Sequence, residues 1–444
     1  MVLSFALACL AAACVSPPPA AAFVPRRRSL TVMAPNDGAK AFNSSFGTGN
    51  WKALGPYIDL LMTKRSPAVP AAMLTAVYAD VGMCSNLTGP GHNDYPFPDC
   101  TAWPADAFYT QPGHPERVLS SKYGGFLQRP GDPSSPTMRA LSLTLFKSAL
   151  ADGYEDLVYL DDANPPEEGY GAFCWGVPSM LKGSGECEGA PGGTAHGPYG
   201  AGPAGWVKGM RALIASIPKP VVLNGLAGYA GHGPSVVAGL TATEHNVWGA
   251  ACDGCFYGYS NVPTNRFLWS GALFLARLDG ALRITGAGKN VVVVNASVTD
   301  AAMRERALSD IMLYYDPDHS WFWDAACGER SHIRVCPEAA LTFYRPVRPY
   351  PKDSRELQAP GGTLVREFDA CYAAGKSVGP CAAVVNPDPY ASMPRPTLHH
   401  DYAHTLIITG SSLCICYGDS GSVAFHGPPA PAVLPPASGY VLFR

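Results

Sequence analysis

The stretch Leu157-Val158-Tyr159-Leu160-Asp161-Asp162 sets an unbroken apolar run against two terminal carboxylates. Apolar residues of β-branched and aromatic type in such a run read as a strand buried on both faces, the condition of a parallel sheet. The two acids then fall at the carboxyl edge of that sheet. In a (β/α)8 barrel this edge carries the chemistry, because side chains from several strand ends converge there, while the opposite edge mainly stabilises. Asp161 and Asp162 are therefore candidate catalytic groups. Adjacent strand residues point to opposite faces, so only one of the two faces a pocket, and the pattern leaves open which.

Outward from that strand, strand-like and helical runs alternate from residue 51 to 324. Strands are expected over 73–81 (reaching Asp80), 157–161, 220–224, 241–247, 291–295 and 318–323, and an extended segment over 118–127. Helices are expected over 51–64, 137–151, 206–216, 234–239, 266–282 and 300–313. The spacing of Met138, Leu141, Leu145 and Ala149 is typical of them. Such alternation predicts an α/β fold, a TIM-type (β/α)8 barrel over 51–344. After Tyr344 the runs shorten and are broken by Pro and Gly: 362–368, 381–385, 405–409, 413–417 and 440–443. They predict an all-β sandwich domain over 345–444, entered through the Pro-rich stretch 345–360.

A net charge of -3 with 15% charged residues over 444 residues indicates neither a nucleic-acid-binding surface nor an acidic tail. The apolar stretch 2–15, followed by Ala20-Ala21-Ala22, reads as a signal peptide over 1–22, and 23–50 as a presequence or flexible N-terminal segment. Phe23 ahead of Arg26-Arg27-Arg28-Ser29 resembles the bipartite presequences of algae with secondary plastids. Expected destinations are the secretory pathway or the extracellular space, and alternatively such a plastid. Nothing after the leader reaches membrane-span length.

Twelve cysteines follow the leader in near-neighbour pairs: 84/100, 174/187, 252/255, 327/336, 371/381 and 414/416. This spacing suits loop disulfides in an oxidising compartment. Either of the last pair can instead bridge Cys371 or Cys381, because alternate strand residues diverge. Sequons at Asn43, Asn86 and Asn295 agree with passage through that route. Zinc competes only at Cys252-Asp253-Gly254-Cys255, which lacks a matching second pair, and His399, His400 and His404 read as solvated; no metal site and no cofactor are expected.

Gly153-Tyr154-Glu155-Asp156 running into the 157–162 strand resembles the pattern of a poorly characterised glycoside-hydrolase-like barrel family. Residues 366–368, 383–387 and 434–442 resemble the accessory β-domain that follows such barrels. The resemblance implies glycosidic bond cleavage by two carboxylates on an oligo- or polysaccharide. One protonates the leaving oxygen and the other acts as nucleophile or activates water. Asp161 aligns with the acid that ends the family strand, as nucleophile or base, with Asp162 its competitor. Glu244, at the end of the expected 241–247 strand and beside Trp248 and Tyr257, is the expected general acid, since desolvation there holds its proton. Asn224, Tyr78, Asp80, Trp248, Tyr257 and Trp321 are expected to line the sugar site. Other classes open to the same pattern are a non-catalytic carbohydrate-binding barrel and a non-hydrolytic carbohydrate-active enzyme. Gly418-Asp419-Ser420-Gly421 echoes a serine-protease segment without a fitting histidine, and the glycines of 228–233 lack dinucleotide-loop spacing.

Overall fold

The computed structural model describes residues 30–31, 60–61, 74–80, 83–85, 103–111, 113–123, 126–151, 156–165, 174–175, 202–226, 235–253, 270–295, 301–324, 341–373, 375–409, 422–429 and 431–444. Among them, a parallel sheet runs in chain order through β1 (Leu30–Thr31), β2 (Leu60–Leu61), β3 (Leu74–Asp80), β4 (Leu157–Asp161), β5 (Val221–Asn224), β6 (Val247–Asp253), β7 (Asn290–Asn295) and β8 (Ser320–Asp324). Helices α1 (Pro136–Ala149), α2 (Gly202–Ser216), α3 (Val236–Thr243), α4 (Gly271–Gly286) and α5 (Ala301–Tyr314) occupy the successive crossovers from β3 to β8. Parallel neighbours require them, since the chain must return to the same edge before each new strand. Ser135 caps α1 and Ser235 caps α3, their hydroxyls accepting from the amides of Met138 and Ala238.

Side-chain alternation divides the sheet into two faces. Val77, Ala79, Val158, Leu160, Val221, Leu223, Val291 and Val293 share one core with Phe146, Leu213, Leu278 and Leu282 of the helices. The helix-free face has a cluster of its own: Leu60, Ala76, Leu157, Tyr159, Val222, Ala251, Val292 and Trp321. A flat sheet would hold its first and eighth strands roughly 33 Å apart. Here β1 lies beside β8, so the sheet is strongly curled.

Two expected elements differ. Leu60 and Leu61 belong to β2 rather than to a helix over 51–64, whose other residues lie outside those described. The strand expected over 241–247 is the end of α3 and a turn, and β6 begins only at Val247.

Between β3 and α1 the chain builds a side sheet around the antiparallel hairpin His114–Tyr123 and Phe126–Pro130. Beyond β8, strands β9 (Leu341–Pro346), β10 (Leu364–Ala373), β11 (Lys376–Val385), β12 (His404–Thr405) and β13 (Gly439–Phe443) form an antiparallel sheet in the order β9-β10-β11-β13-β12. One face packs on α5, and the other buries Ala382, Val384 and Leu442 with Tyr402 and Leu434. Leu434 belongs to a short antiparallel pair, Met393–Pro394 with Val433–Leu434.

Cys371 and Cys381 join β10 to β11 with Cα atoms 6.1 Å apart, one of the expected pairs. Cys84 and Cys252 are also disulfide-bonded; their expected partners Cys100 and Cys255 lie outside the described residues.

Buried charge fastens the C-terminal sheet to the helices. Arg306 of α5 donates to both carboxylate oxygens of Asp310 at 2.8 and 2.9 Å, and to the carbonyls of Asn386 and Ser438 at 3.0 and 2.5 Å. Its guanidinium lies 5.1 Å from the centre of the Phe274 ring of α4. At the other end of α5, Arg366 of β10 donates to the Leu313 carbonyl at 3.0 Å and stacks on Tyr350 and Phe368. The Tyr350 hydroxyl donates to the Tyr314 carbonyl at 2.6 Å and contacts the Thr285 hydroxyl.

Candidate active site

The carboxyl edge of the curled sheet gathers the strand-end polar residues. Asp80 and Asp161 are register partners on β3 and β4. Asn224 follows Leu223, the register partner of Leu160, and so stands level with Asp161 on β5. Asp253 ends β6, two residues beyond the Asn224 partner Ala251. Tyr78 is the register partner of Tyr159.

Asp161 is half-buried and follows Tyr159 by two residues on the helix-free face. Its Oδ1 accepts from Asn224 Nδ2 at 2.5 Å and from the Asp162 amide at 2.9 Å. Asn224 is 3% exposed. A buried amide donating to a carboxylate fixes the carboxylate's orientation. Asp162 has left the strand: at φ 45° it is in the left-handed region and starts a turn. The Ala163 amide donates to the Asn224 carbonyl at 2.7 Å, closing that turn across the two strand ends. Of the two adjacent acids, Asp161 is thus the one on the helix-free face.

Asn164, which the sequence pattern did not single out, completes this corner. It is buried, and its Oδ1 has no hydrogen-bond partner among the described residues. A Cβ added at Gly225 would lie 2.3 Å from that oxygen. Asn224-Gly225 is therefore more than a turn former, because only glycine lets the Asn164 amide approach this closely. Buried acceptors are normally satisfied, so an orphan at a strand-end rim is suited to a ligand donor.

The opposite edge holds Glu244. Val158, Val221 and Val247 are register mates. Asp161 lies three strand residues, roughly 10 Å, beyond that level, while Glu244 lies before it, in the turn that leads from α3 into β6. Glu244 caps the C-terminus of α3 and pairs with Arg211 Nε at 2.6 Å. The structure does not bring Asp161 and Glu244 together.

Two expected sugar-stacking aromatics also lie toward that edge. Trp321 and Trp248 are each the second residue of their strand, with ring centres 5.1 Å apart. Trp321 is 1% exposed, and its indole donates to Asn290 Oδ1 at 2.7 Å while Asn290 Nδ2 donates to the Trp248 carbonyl at 2.9 Å. They pack the helix-free core. Tyr257 lies outside the described residues.

The same edge is otherwise built for stability. Asp156 accepts from the Thr75 amide at 2.9 Å and its own amide donates to the Thr75 carbonyl, setting the register of β3 and β4. The Asn246 amide donates to the carbonyls of Ile214, Ile217 and Lys219. Lys289 Nζ donates to the Val247 carbonyl at 2.6 Å, and its burial lowers its pKa. In the C-terminal sheet region, His399 and His400 lie in a bend, where their amides donate to Glu367 and the His400 ring meets Asp369.

No protein-family model matches this chain, and no curated protein matches it. A comparison with solved structures returns matches at low similarity. Eubacterium rectale Amy13B gives a TM-score of 0.40 at 9% identity, covering 95% of this chain and 96% of its own. An alpha-amylase from Lactobacillus plantarum gives 0.38 at 11%, covering 94% and 98%. The GH36 alpha-galactosidase AgaB from Geobacillus stearothermophilus gives 0.33 at 11%, covering 94% of this chain and 55% of its own, so this chain spans about half the length of that relative. These solved structures are glycoside hydrolases, and a likeness at this level assigns no activity.

Proposed function

We propose that this chain is a glycoside hydrolase-like enzyme in which the curled parallel sheet, β1 to β8, closes as a (β/α)8 barrel, with the C-terminal segment 345–444 as an accessory β-domain. The carrying observation is the strand-end register: Asp80 beside Asp161, with Asn224 donating to Asp161. Neighbouring parallel strands lie about 4.8 Å apart, a spacing compatible with the roughly 5–5.5 Å between carboxyl groups in retaining glycosidases. Asp161, whose Oδ1 is held by two N–H donors, is assigned as the nucleophile. Asp80 is assigned as the general acid in place of Glu244. Asn164 is assigned to the substrate rim, and Asn224 to positioning Asp161. The leader 1–22 is proposed to route the chain into the secretory pathway, or through 23–50 into a plastid.

The test is a screen of aryl glycosides and of algal and plant polysaccharides with the wild-type protein, followed by Asp161→Asn and Asp80→Asn. Each variant should lose turnover by about 10³-fold or more with the far-UV spectrum retained, since proton transfer and covalent catalysis each contribute orders of magnitude. Saccharide binding without any product would overturn the enzymatic reading. Full activity in Asp80→Asn would overturn the assignment of the acid, and Asp253→Asn is the comparison to make in parallel.

A further inference from the structure

Tyr390 is 88% exposed, the largest exposure among the large apolar side chains described. A lone exposed ring on a loose loop carries no message. This one stands on a turn whose geometry is fixed from within and from below.

Within the turn, Asn386 is fully buried. Its Oδ1 accepts from the Asp388 amide at 2.9 Å, and its Nδ2 donates to the carbonyls of Ala391, Leu434 and Pro435 at 2.8, 3.2 and 2.9 Å. Asp388 Oδ1 accepts from the amides of Tyr390 and Ala391 at 2.7 and 2.8 Å. From below, Arg306 donates to the Asn386 carbonyl, and the Gly271 amide donates to the Pro387 carbonyl at 2.6 Å. Pro389 sits over Gly271, its Cδ 3.7 Å from where a Cβ would stand.

Gly271 is the first residue of α4, which leaves β6 and returns the chain to β7. The helix runs antiparallel to the strands, so its first turn lies at their carboxyl edge. The C-terminal sheet therefore delivers Tyr390 to the same edge of the molecule as Asp161. Tyr350 and Arg366, bonded to the last turns of α4 and α5, mark the other edge.

We infer that Tyr390 is an auxiliary saccharide contact, a stacking platform for a sugar ring of a polymer whose reacting bond lies at the Asp161 edge. This deepens the carbohydrate reading and rests on it. A tyrosine has few torsions to freeze, and its backbone is already ordered, so stacking a sugar ring on it costs little conformational entropy. The ligand class is a neutral oligo- or polysaccharide, since a π face binds the C–H face of a pyranose without requiring charge.

The test is native affinity electrophoresis of the full chain in gels containing soluble starch, laminarin, xylan or alginate. Wild type, Tyr390→Ala, Tyr390→Phe and Asp161→Asn are run side by side, and thermal melting confirms intact folds. Tyr390→Ala should weaken retardation by the retarding polymer roughly 2- to 10-fold in apparent Kd, while Tyr390→Phe and Asp161→Asn retain it. Equal retardation of wild type and Tyr390→Ala overturns the platform and leaves the carbohydrate reading standing. Retardation of wild type by none of the polymers, with turnover of an aryl glycoside, also overturns the platform alone. Neither retardation nor turnover overturns both.

Discussion

Asn224 and Asp161 end neighbouring parallel strands, and the buried Asn224 amide donates to the Asp161 carboxylate at 2.5 Å. The pair is formed by strand register alone, with no loop needed to assemble it. Asn224→Ala should therefore keep the fold and lower kcat about 10²-fold with little change in KM, as expected of a group that orients another. Steady-state kinetics on a substrate from the screen measure this. A change confined to KM would instead make Asn224 a substrate ligand.

Gly225→Ala should act on the same corner without touching Asp161. The new methyl would stand 2.3 Å from Asn164 Oδ1, and the amide must move. Activity should fall at least tenfold, and stability by about 1–3 kcal/mol from the overpacking. Urea denaturation separates the two effects.

Glu244→Gln is expected to be almost silent. Its carboxylate makes a partly exposed pair with Arg211, a class of contact worth about 0–1 kcal/mol. Turnover should match wild type in the assay that reports Asp161→Asn as dead. Trp321→Ala should do the reverse of a binding-site change. It removes a buried indole that bridges to Asn290, so the protein loses about 3–5 kcal/mol of stability, read as a lower urea midpoint.

The attachment of the C-terminal sheet should weaken as pH rises. Burial pushes the Glu305 carboxyl up to about 7, against the partial opposition of N–H donation from Val441 and Leu406. A carboxyl whose folded pKa exceeds its unfolded value binds its proton more tightly in the native state. Stability is then full below about 4.5, falls between 4.5 and 7, and stays reduced above. The span corresponds to roughly 3 kcal/mol. Burial also raises Asp310, to about 6, despite Arg306, and adds in the same direction. Glu305→Gln should flatten the decline, measured as Tm from pH 5 to 8.

Arg306→Ala should cost about 3–5 kcal/mol, because it strands the buried Asp310 and frees two carbonyls of the C-terminal sheet. Arg306→Met with Asp310→Leu should recover part of that loss, since a well-packed apolar pair avoids the desolvation of both charges. Urea midpoints across the cycle give the coupling.

Much of the sheet was legible where apolar residues run together, as in Leu157–Asp161 and Asn290–Asn295. Their sequences carry the burial pattern directly. Strand β6 was not. Its sequence, Val-Trp-Gly-Ala-Ala-Cys-Asp, carries small residues, and a Cβ at Gly249 would lie 2.3 Å from the Asn290 carbonyl oxygen. Close packing of β6 against β7 thus removed the bulk that signals a strand. The threonines at 241 and 243 supplied a false signal nearby, although the Ser235 cap and tertiary packing keep them helical. This displacement made Glu244, at the far edge, the expected strand-end acid, whereas the strand itself ends in Asp253. Asp161, Asp80 and Asn224 escaped that error because each directly ends a well-marked strand.

Arg306 reaches a carboxylate of its own helix, an aromatic ring of α4 and two carbonyls of the C-terminal sheet. The last hundred residues are consequently not a cassette that can be clipped off or traded between proteins. A chain ended before β9 would leave the Arg306 guanidinium without both carbonyl partners and would bare the apolar side of α5. Insertion, swapping or independent loss of this segment during descent would require rewriting α5 at the same time, so the two regions are bound to change as a unit.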